Sequence, residues 1–167
     1  MSATRYPSRR DVLRLAVGAT AAALIAPTLA AAPEQRMRKI PKTGETLPAI
    51  GLGSWQTFDV GAAAGERSAQ REVLKLFIEQ GGRVVDSSPM YGESESVIGD
   101  LAADLGVTSK LFVATKVWTS GREAGIRQME QSFQRLRTKK MDLMQVHNLL
   151  DWKTHLKTLR DWKAQGR

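Results

Sequence analysis

The sequence contains no cysteine, only two histidines and two tyrosines, and 6% aromatic residues in 167. The missing thiol excludes a disulfide scaffold, a Cys-ligated zinc site, a lipid-anchored N-terminal Cys and thiol catalysis. Two histidines leave little room for a His-based metal cluster, and no metal is expected. No low-complexity segment follows residue 33. With 42% hydrophobic and 25% charged residues, the composition is that of one ordinary globular domain. The formal charge of +8 is unevenly spread. Arg5, Arg9, Arg10 and Arg14 against Asp11 place +3 in the first fourteen residues, leaving +5 for the rest. Arg135, Arg137, Lys139 and Lys140 form a basic cluster without interleaved aromatics, which reads as solvated surface, and no nucleic-acid partner is expected.

The N-terminal charge belongs to a segment of its own. Residues 8 to 14, Ser-Arg-Arg-Asp-Val-Leu-Arg, precede a mildly apolar, alanine-rich stretch from Leu15 to Ala26 with no further charge before Glu34. A charged start, an apolar middle and a small-residue end describe a targeting segment. The Arg9-Arg10 pair resembles the twin-arginine export signal, an address read by a receptor. Residues 1 to 32 are therefore assigned as a signal peptide, with cleavage expected after Ala30. The expected location is periplasmic or otherwise exported via the twin-arginine pathway, with its machinery as a partner; the alternative is an uncleaved N-terminal anchor. The apolar part, about 12 residues, is short for a ~30 Å hydrocarbon core, so no stable membrane span is expected after cleavage.

From Ile50 onward, short apolar runs alternate with longer amphipathic segments. Strands are predicted at Ile50–Gly53, Arg83–Asp86, Leu111–Lys116 and Met141–His147, each followed by a helix, at Ser68–Gln80, Ser94–Leu105, Glu123–Leu136 and Lys153–Gln165. Val73, Leu74, Phe77 and Ile78 fall on one helical face, as do Ile126, Met129, Phe133 and Leu136. Gly81-Gly82, Gly106 and Gly166 stand at expected helix stops. Strands two to four are nearly continuously apolar, as in a parallel sheet covered on both faces. Lys42-Thr-Gly44-Glu45, within Met37 to Leu47, signals a hairpin ahead of the first unit. Four strand–helix units take about 117 residues, so eight need roughly 230, close to the ~250 of a (β/α)8 barrel. The expectation is half of such a barrel, its first and fourth strands bare-edged; a complete doubly wound domain is the competing architecture.

The ionisable residues are placed in register. Strand two ends in Asp86, strand three in Lys116 and strand four in His147, and in a barrel these ends open onto one face. A lysine closing an apolar strand is expensive unless paired, so Asp86 is its expected partner. Tyr91, five residues after Asp86, can return over the same face. A phenol is a poor acid near neutrality, but a cation about 4 Å away stabilises its anion by roughly 4 kcal/mol at an effective dielectric of 20, opposed by desolvation. Gly51-Leu-Gly53 lacks the third glycine of a dinucleotide fingerprint, since Gln56 stands there. His155, among Lys153, Thr154 and Lys157, reads as a surface residue, while Trp152 and Trp162 read as a helix entry and a packing position.

Leu47-Pro-Ala-Ile-Gly-Leu-Gly-Ser-Trp55, Val85-Asp-Ser-Ser-Pro-Met-Tyr-Gly92, Thr115-Lys-Val-Trp118 and Met141-Asp-Leu-Met-Gln-Val-His147 together resemble, in order and spacing, the first four strands of the aldo-keto reductase family. The resemblance covers Met37 to Arg167, and residues 37–167 are assigned as a domain of that type. It implies a (β/α)8 barrel of which about the first four units are present, and an oxidoreductase that reduces an aldehyde or ketone with NADPH. It further implies a tetrad of Asp86, Tyr91, Lys116 and His147. Tyr91 protonates the carbonyl oxygen, Lys116 held by Asp86 makes the phenol a better acid, and His147 orients the carbonyl. Gly53, Ser54, Trp55 and Asp86 match residues at the cofactor, and Trp55, Trp118 and Asn148 match residues at the substrate mouth. Ser54 replaces a more usual Thr. The family's phosphate- and adenosine-binding residues come from later strands, so cofactor affinity is expected to be severely reduced if Arg167 ends the chain. The alternative functions are a noncatalytic barrel module binding nucleotide or a partner, and an inactive fragment.

Overall fold

The computed structural model describes residues 35 to 167. The signal segment read at residues 1 to 32, with Arg9 and Arg10, lies outside the described residues. A hairpin comes first: β1 (Met37–Lys39) pairs antiparallel with β2 (Thr46–Pro48), and Gly44 takes the left-handed conformation (φ 78°) that closes the turn. Four parallel strands follow, β3 (Leu52–Gly53), β4 (Val84–Asp86), β5 (Phe112–Val117) and β6 (Leu143–Val146), side by side in chain order. Between and after them run α1 (Ala64–Glu79), α2 (Ser94–Asp104), α3 (Arg122–Arg135) and α4 (Trp152–Ala164), each packed on the next. Strand order without reversal excludes the doubly wound alternative, which requires a switch point. The architecture is α/β, four consecutive units of a partial barrel. Among the described residues no helix is long and apolar enough to cross a membrane.

Alternation along the strands sorts side chains between two faces. Val85, Val113, Thr115 and Val117 are buried under the helices, where Leu74, Val97, Ile98, Leu101, Phe133 and Leu136 complete the core. Asp86, Ala114 and Leu143 lie in register on the opposite, concave face, with Lys116 beside Gln145 one step further on. The expectation that strands two to four are covered on both faces fails at β6: Leu143 is 44% exposed, because this edge strand has no further neighbour among the described residues.

The helices end alike. Gly82 N–H returns to Phe77 O, Val107 to Ala102 O, Thr138 to Phe133 O and Arg167 to Trp162 O. Each is the six-residue return of a Schellman cap, with positive φ at Gly81, Gly106, Arg137 and Gly166. Three of these stops are glycines, as the sequence predicts. At the fourth, Arg137 takes a conformation that glycine favours, and its guanidinium sits 2.6 Å from Asp100 on α2. Arg135 reaches Glu95 at 3.7 Å and Lys140 reaches Asp142 at 3.6 Å, so much of the basic cluster is paired with acids.

Three local expectations are corrected. α1 begins a turn earlier than Ser68, whose hydroxyl instead bonds back to Gly65 O, with Glu66 in the first turn favouring the helix N-terminus. Val73 is exposed, while Leu74 is fully buried and Phe77 and Ile78 pack partly against the core. His155 is buried rather than on the surface: its Nε2 bonds the Thr119 carbonyl at 2.7 Å, and its ring fills the space left by Gly125 on α3. Trp152 opens α4, and Trp162 stacks edge-on against Phe133, with the Arg167 guanidinium 3.9 Å from the Trp162 ring centre and 5.4 Å from that of Phe133.

Candidate active site at the strand C-termini

The turn after β3 is tied to β4 from beneath. Ser54 N–H donates to Asp86 O, its hydroxyl to Ser87 Oγ at 2.9 Å, and Ser54 O accepts from the Ser94 hydroxyl. Ser54 is fully buried, so its polar atoms brace the loops while Gly53 and the 63% exposed Trp55 stand at the open face. A Cβ built on Gly53 would meet nothing within 4 Å.

Asp86 ends β4 and Lys116 stands near the end of β5, and the two meet across the sheet. Lys116 Nζ donates to Asp86 Oδ2 and to Ser87 O, both at 2.6 Å. The ammonium is nearly enclosed while the carboxylate keeps water on one side, and Gln145 on β6 donates to its other oxygen at 3.2 Å. Tyr91 lies in the loop before α2, held by its N–H to Ser88 O. Lys116 Nζ stands 5.1 Å from the Tyr91 ring centre, and the His147 ring meets that ring edge-on at 5.8 Å.

His147 leaves β6 at the start of a tight turn, His147–Leu149, whose successors Asn148, Leu149 and Asp151 all have positive φ. Such conformations in non-glycine residues cost energy and persist only where surrounding contacts hold them. Here Asp151 accepts from Gly121 N–H at 2.7 Å and from the Thr154 hydroxyl, which holds its carboxyl below the usual range. Desolvation, then the nearby Lys116 charge, depresses the His147 pKa, with Asp86 opposing both. Near neutrality the ring is therefore uncharged. Its Nδ1 faces Ser88 Oγ at 3.0 Å. Trp118 lies 6.4 Å from the His147 ring and Trp55 6.4 Å from the Tyr91 ring, both partly open to solvent. Asn148 is exposed on the turn itself.

The structure thus brings Asp86, Tyr91, Lys116 and His147 together, with Trp55 and Trp118 on either side. It turns the Ser54 hydroxyl inward. Sequence reasoning missed Ser87, Ser88 and Gln145. Ser87 and Ser88 directly follow Asp86 in the same motif, and Gln145 lies two residues before His147 on the same strand face. Alternation could have found Gln145; nothing in the sequence points to the Ser88–His147 contact.

The sequence matches the Aldo/keto reductase family over residues 49–166. It is 35% identical over 106 residues to the methylglyoxal reductase YeaE of Escherichia coli, covering 61% of this chain and 36% of that one. It is 32% identical over 106 residues to the glycerol 2-dehydrogenase (NADP(+)) of Saccharomyces cerevisiae, covering 63% and 31%. The chain thus spans about a third of the length of the curated relatives it matches. Among solved structures, an aldo-keto reductase from Klebsiella pneumoniae in complex with NADPH superposes with a TM-score of 0.62 at 26% identity, over 80% of this chain and 47% of that one. Another from the same organism, in complex with NADP and acetate, gives 0.54 at 30% identity, over 62% and 36%. With that match running from β3 to the last helix, and four parallel strands side by side in chain order with one cluster of ionisable groups at their C-terminal ends, the chain belongs to the aldo/keto reductase family.

Proposed function

We propose that this face carries out reduction of an aldehyde or ketone to an alcohol, with NADPH as reductant and Tyr91 as the proton donor. The observation that carries the reading is the position of Lys116, whose nitrogen is bound to Asp86 while standing 5.1 Å from the centre of the Tyr91 ring. A fixed cation there stabilises negative charge as it grows on the phenol oxygen. Asp86 and Ser87 O hold the ammonium in place, and Gln145 steadies Asp86. His147, neutral near pH 7 and edge-on to Tyr91, orients the carbonyl and receives part of its developing charge. Tyr91 passes its proton to the carbonyl oxygen, leaving the alcohol product.

The residues present fit the nicotinamide end of the cofactor. The open ledge at Gly53, in register with Asp86, leaves room for a flat ring, and Trp55 two residues on is exposed, 6.4 Å from the Tyr91 ring. When bound, the reduced nicotinamide supplies the hydride to the carbonyl carbon. Relatives and neighbours named with NADP or NADPH support this choice. Trp55, Trp118 and Asn148 form the proposed substrate mouth.

The test is NADPH oxidation with small aldehydes, methylglyoxal among them, with NADPH raised over a concentration series to offset the reduced affinity expected above and Tyr91→Phe as the control. Turnover by the parent and at least a hundredfold loss in the variant is the expected result. Equal rates in both remove Tyr91 as the acid.

A further inference from the structure

Ser88 is fully buried, with one hydroxyl hydrogen to place. Two polar atoms lie within reach of its Oγ: His147 Nδ1 at 3.0 Å and the Met90 backbone nitrogen at 3.4 Å. The Met90 N–H is a donor, so it occupies a lone pair of the oxygen. Among the described residues, Nδ1 is therefore the one acceptor set against the hydroxyl hydrogen, and a buried donor left unspent is disfavoured. The reverse arrangement, with an Nδ1 hydrogen pointing at Oγ, gives the oxygen two donors and leaves its own hydrogen without a partner. It would also turn a lone pair of Nε2 toward any substrate oxygen.

We propose that Ser88 is a positioning residue for His147: its hydroxyl donates to Nδ1 and fixes the ring in the form protonated at Nε2, so that the imidazole meets a substrate oxygen as a hydrogen-bond donor. Two links separate Ser88 from the substrate, and only the second, that the oxygen belongs to a carbonyl under reduction, rests on the function proposed above. The first is a property of the folded chain. The charged and titratable groups facing His147 are Lys116 on β5, Asp86 on β4 and the Tyr91 phenol before α2, and all remain when Ser88 is changed.

The two arrangements differ in the sign of a measurable shift. A hydroxyl donating to Nδ1 favours the neutral ring and opposes protonation, whereas one accepting from an Nδ1 hydrogen favours the cation. Nitrogen-15 NMR of the labelled chain, with His147 assigned by its loss in His147→Gln, reads both the tautomer and the titration. We expect the parent to carry its ring hydrogen on Nε2, and Ser88→Ala to titrate at higher pH with a mixture of tautomers. A parent protonated at Nδ1 overturns the assignment without reference to any variant, as does a Ser88→Ala titration that moves downward or not at all. In steady-state assays Ser88→Ala is expected to lower kcat about fivefold with KM little changed, the equivalent of one ordinary hydrogen bond. The expected spectra with an unchanged kcat overturn the positioning role. If the spectra are as expected and neither protein reduces a carbonyl, the Ser88–His147 bond stands and the proposed reaction falls.

Discussion

Replacing Lys116 with methionine removes an ammonium bound at 2.6 Å to both Asp86 Oδ2 and Ser87 O, and standing 5.1 Å from the middle of the Tyr91 ring. At that separation a unit charge stabilises a negative charge on the ring by about 3 kcal/mol at an effective dielectric of 20. Asp86 cancels part of this, leaving about 1.5–3 kcal/mol and a kcat lower by roughly 10- to 150-fold. KM should move much less, since the charge in question exists only as the proton departs. Stability is expected to respond in the opposite order. The Asp86 side chain is 40% exposed, so it regains water on losing its partner and keeps Gln145. The Lys116 side chain is 12% exposed, and Asp86→Asn strands its charge against neutral acceptors. Asp86→Asn is therefore expected to cost about 1–2 kcal/mol more than Lys116→Met, or roughly 3–8 °C in Tm. Steady-state kinetics with NADPH and a small aldehyde, paired with thermal melts by circular dichroism, read both quantities. A Lys116→Met protein turning over within twofold of the parent would refute the electrostatic reasoning.

Gly99 is expected to tolerate no side chain: a Cβ there lies 2.0 Å from the Arg135 carbonyl oxygen, so the backbone contact of α2 on α3 outweighs the ~1 kcal/mol that alanine normally adds to a helix. Gly99→Ala should lose about 2–3 kcal/mol in urea unfolding, and an unchanged midpoint contradicts the packing. Glu95 is buried against Thr115, Ser132 and Arg135, and desolvation raises its pKa above the ordinary 4.5. The folded chain thus binds the extra proton, and stability falls as pH rises from about 4.5 through the raised value. His147, depressed below 6.5, acts in the opposite sense and adds stability as pH rises toward 6.5. Urea midpoints across pH should therefore slope less steeply downward in Glu95→Gln than in the parent, and parallel curves dismiss the effect. For the N-terminal segment, a reporter fused to residues 1 to 36 is expected to reach the periplasm and to stay inside when Arg9 and Arg10 are both changed to Lys; undiminished export rejects the twin-arginine reading.

The unit order and the clustering of Asp86, Tyr91, Lys116 and His147 were legible because they follow from period and position. An apolar run ending in an ionisable residue announces its own C-terminus, and parallel strands deliver such ends to one side. The helices were found to within a residue or two, except at the start of α1, where Ala64, Gly65 and Glu66 carry no apolar signal. What escaped depends on the partner opposite. His155 looks exposed among Lys153, Thr154 and Lys157 until Gly125 on the neighbouring helix supplies its pocket. Val73 fits the apolar period of α1, yet no neighbour among the described residues covers it. The inward turn of Ser54 and the contact of Ser88 with His147 are set by register between chain segments 33 and 59 residues apart, which local patterns do not encode.

Thr115 and Lys116 are adjacent on β5 and point to opposite sides of it, and Thr115 is secured by a 2.6 Å hydrogen bond to the buried Glu95. If β5 slipped by one position during assembly, the ammonium would be driven into an oily layer already holding an acid, while a small hydroxyl took its place before the phenol. Such a misregistered chain would lose cohesion and chemistry together. The bond behind the strand thereby favours the register that presents the amine to the concave face.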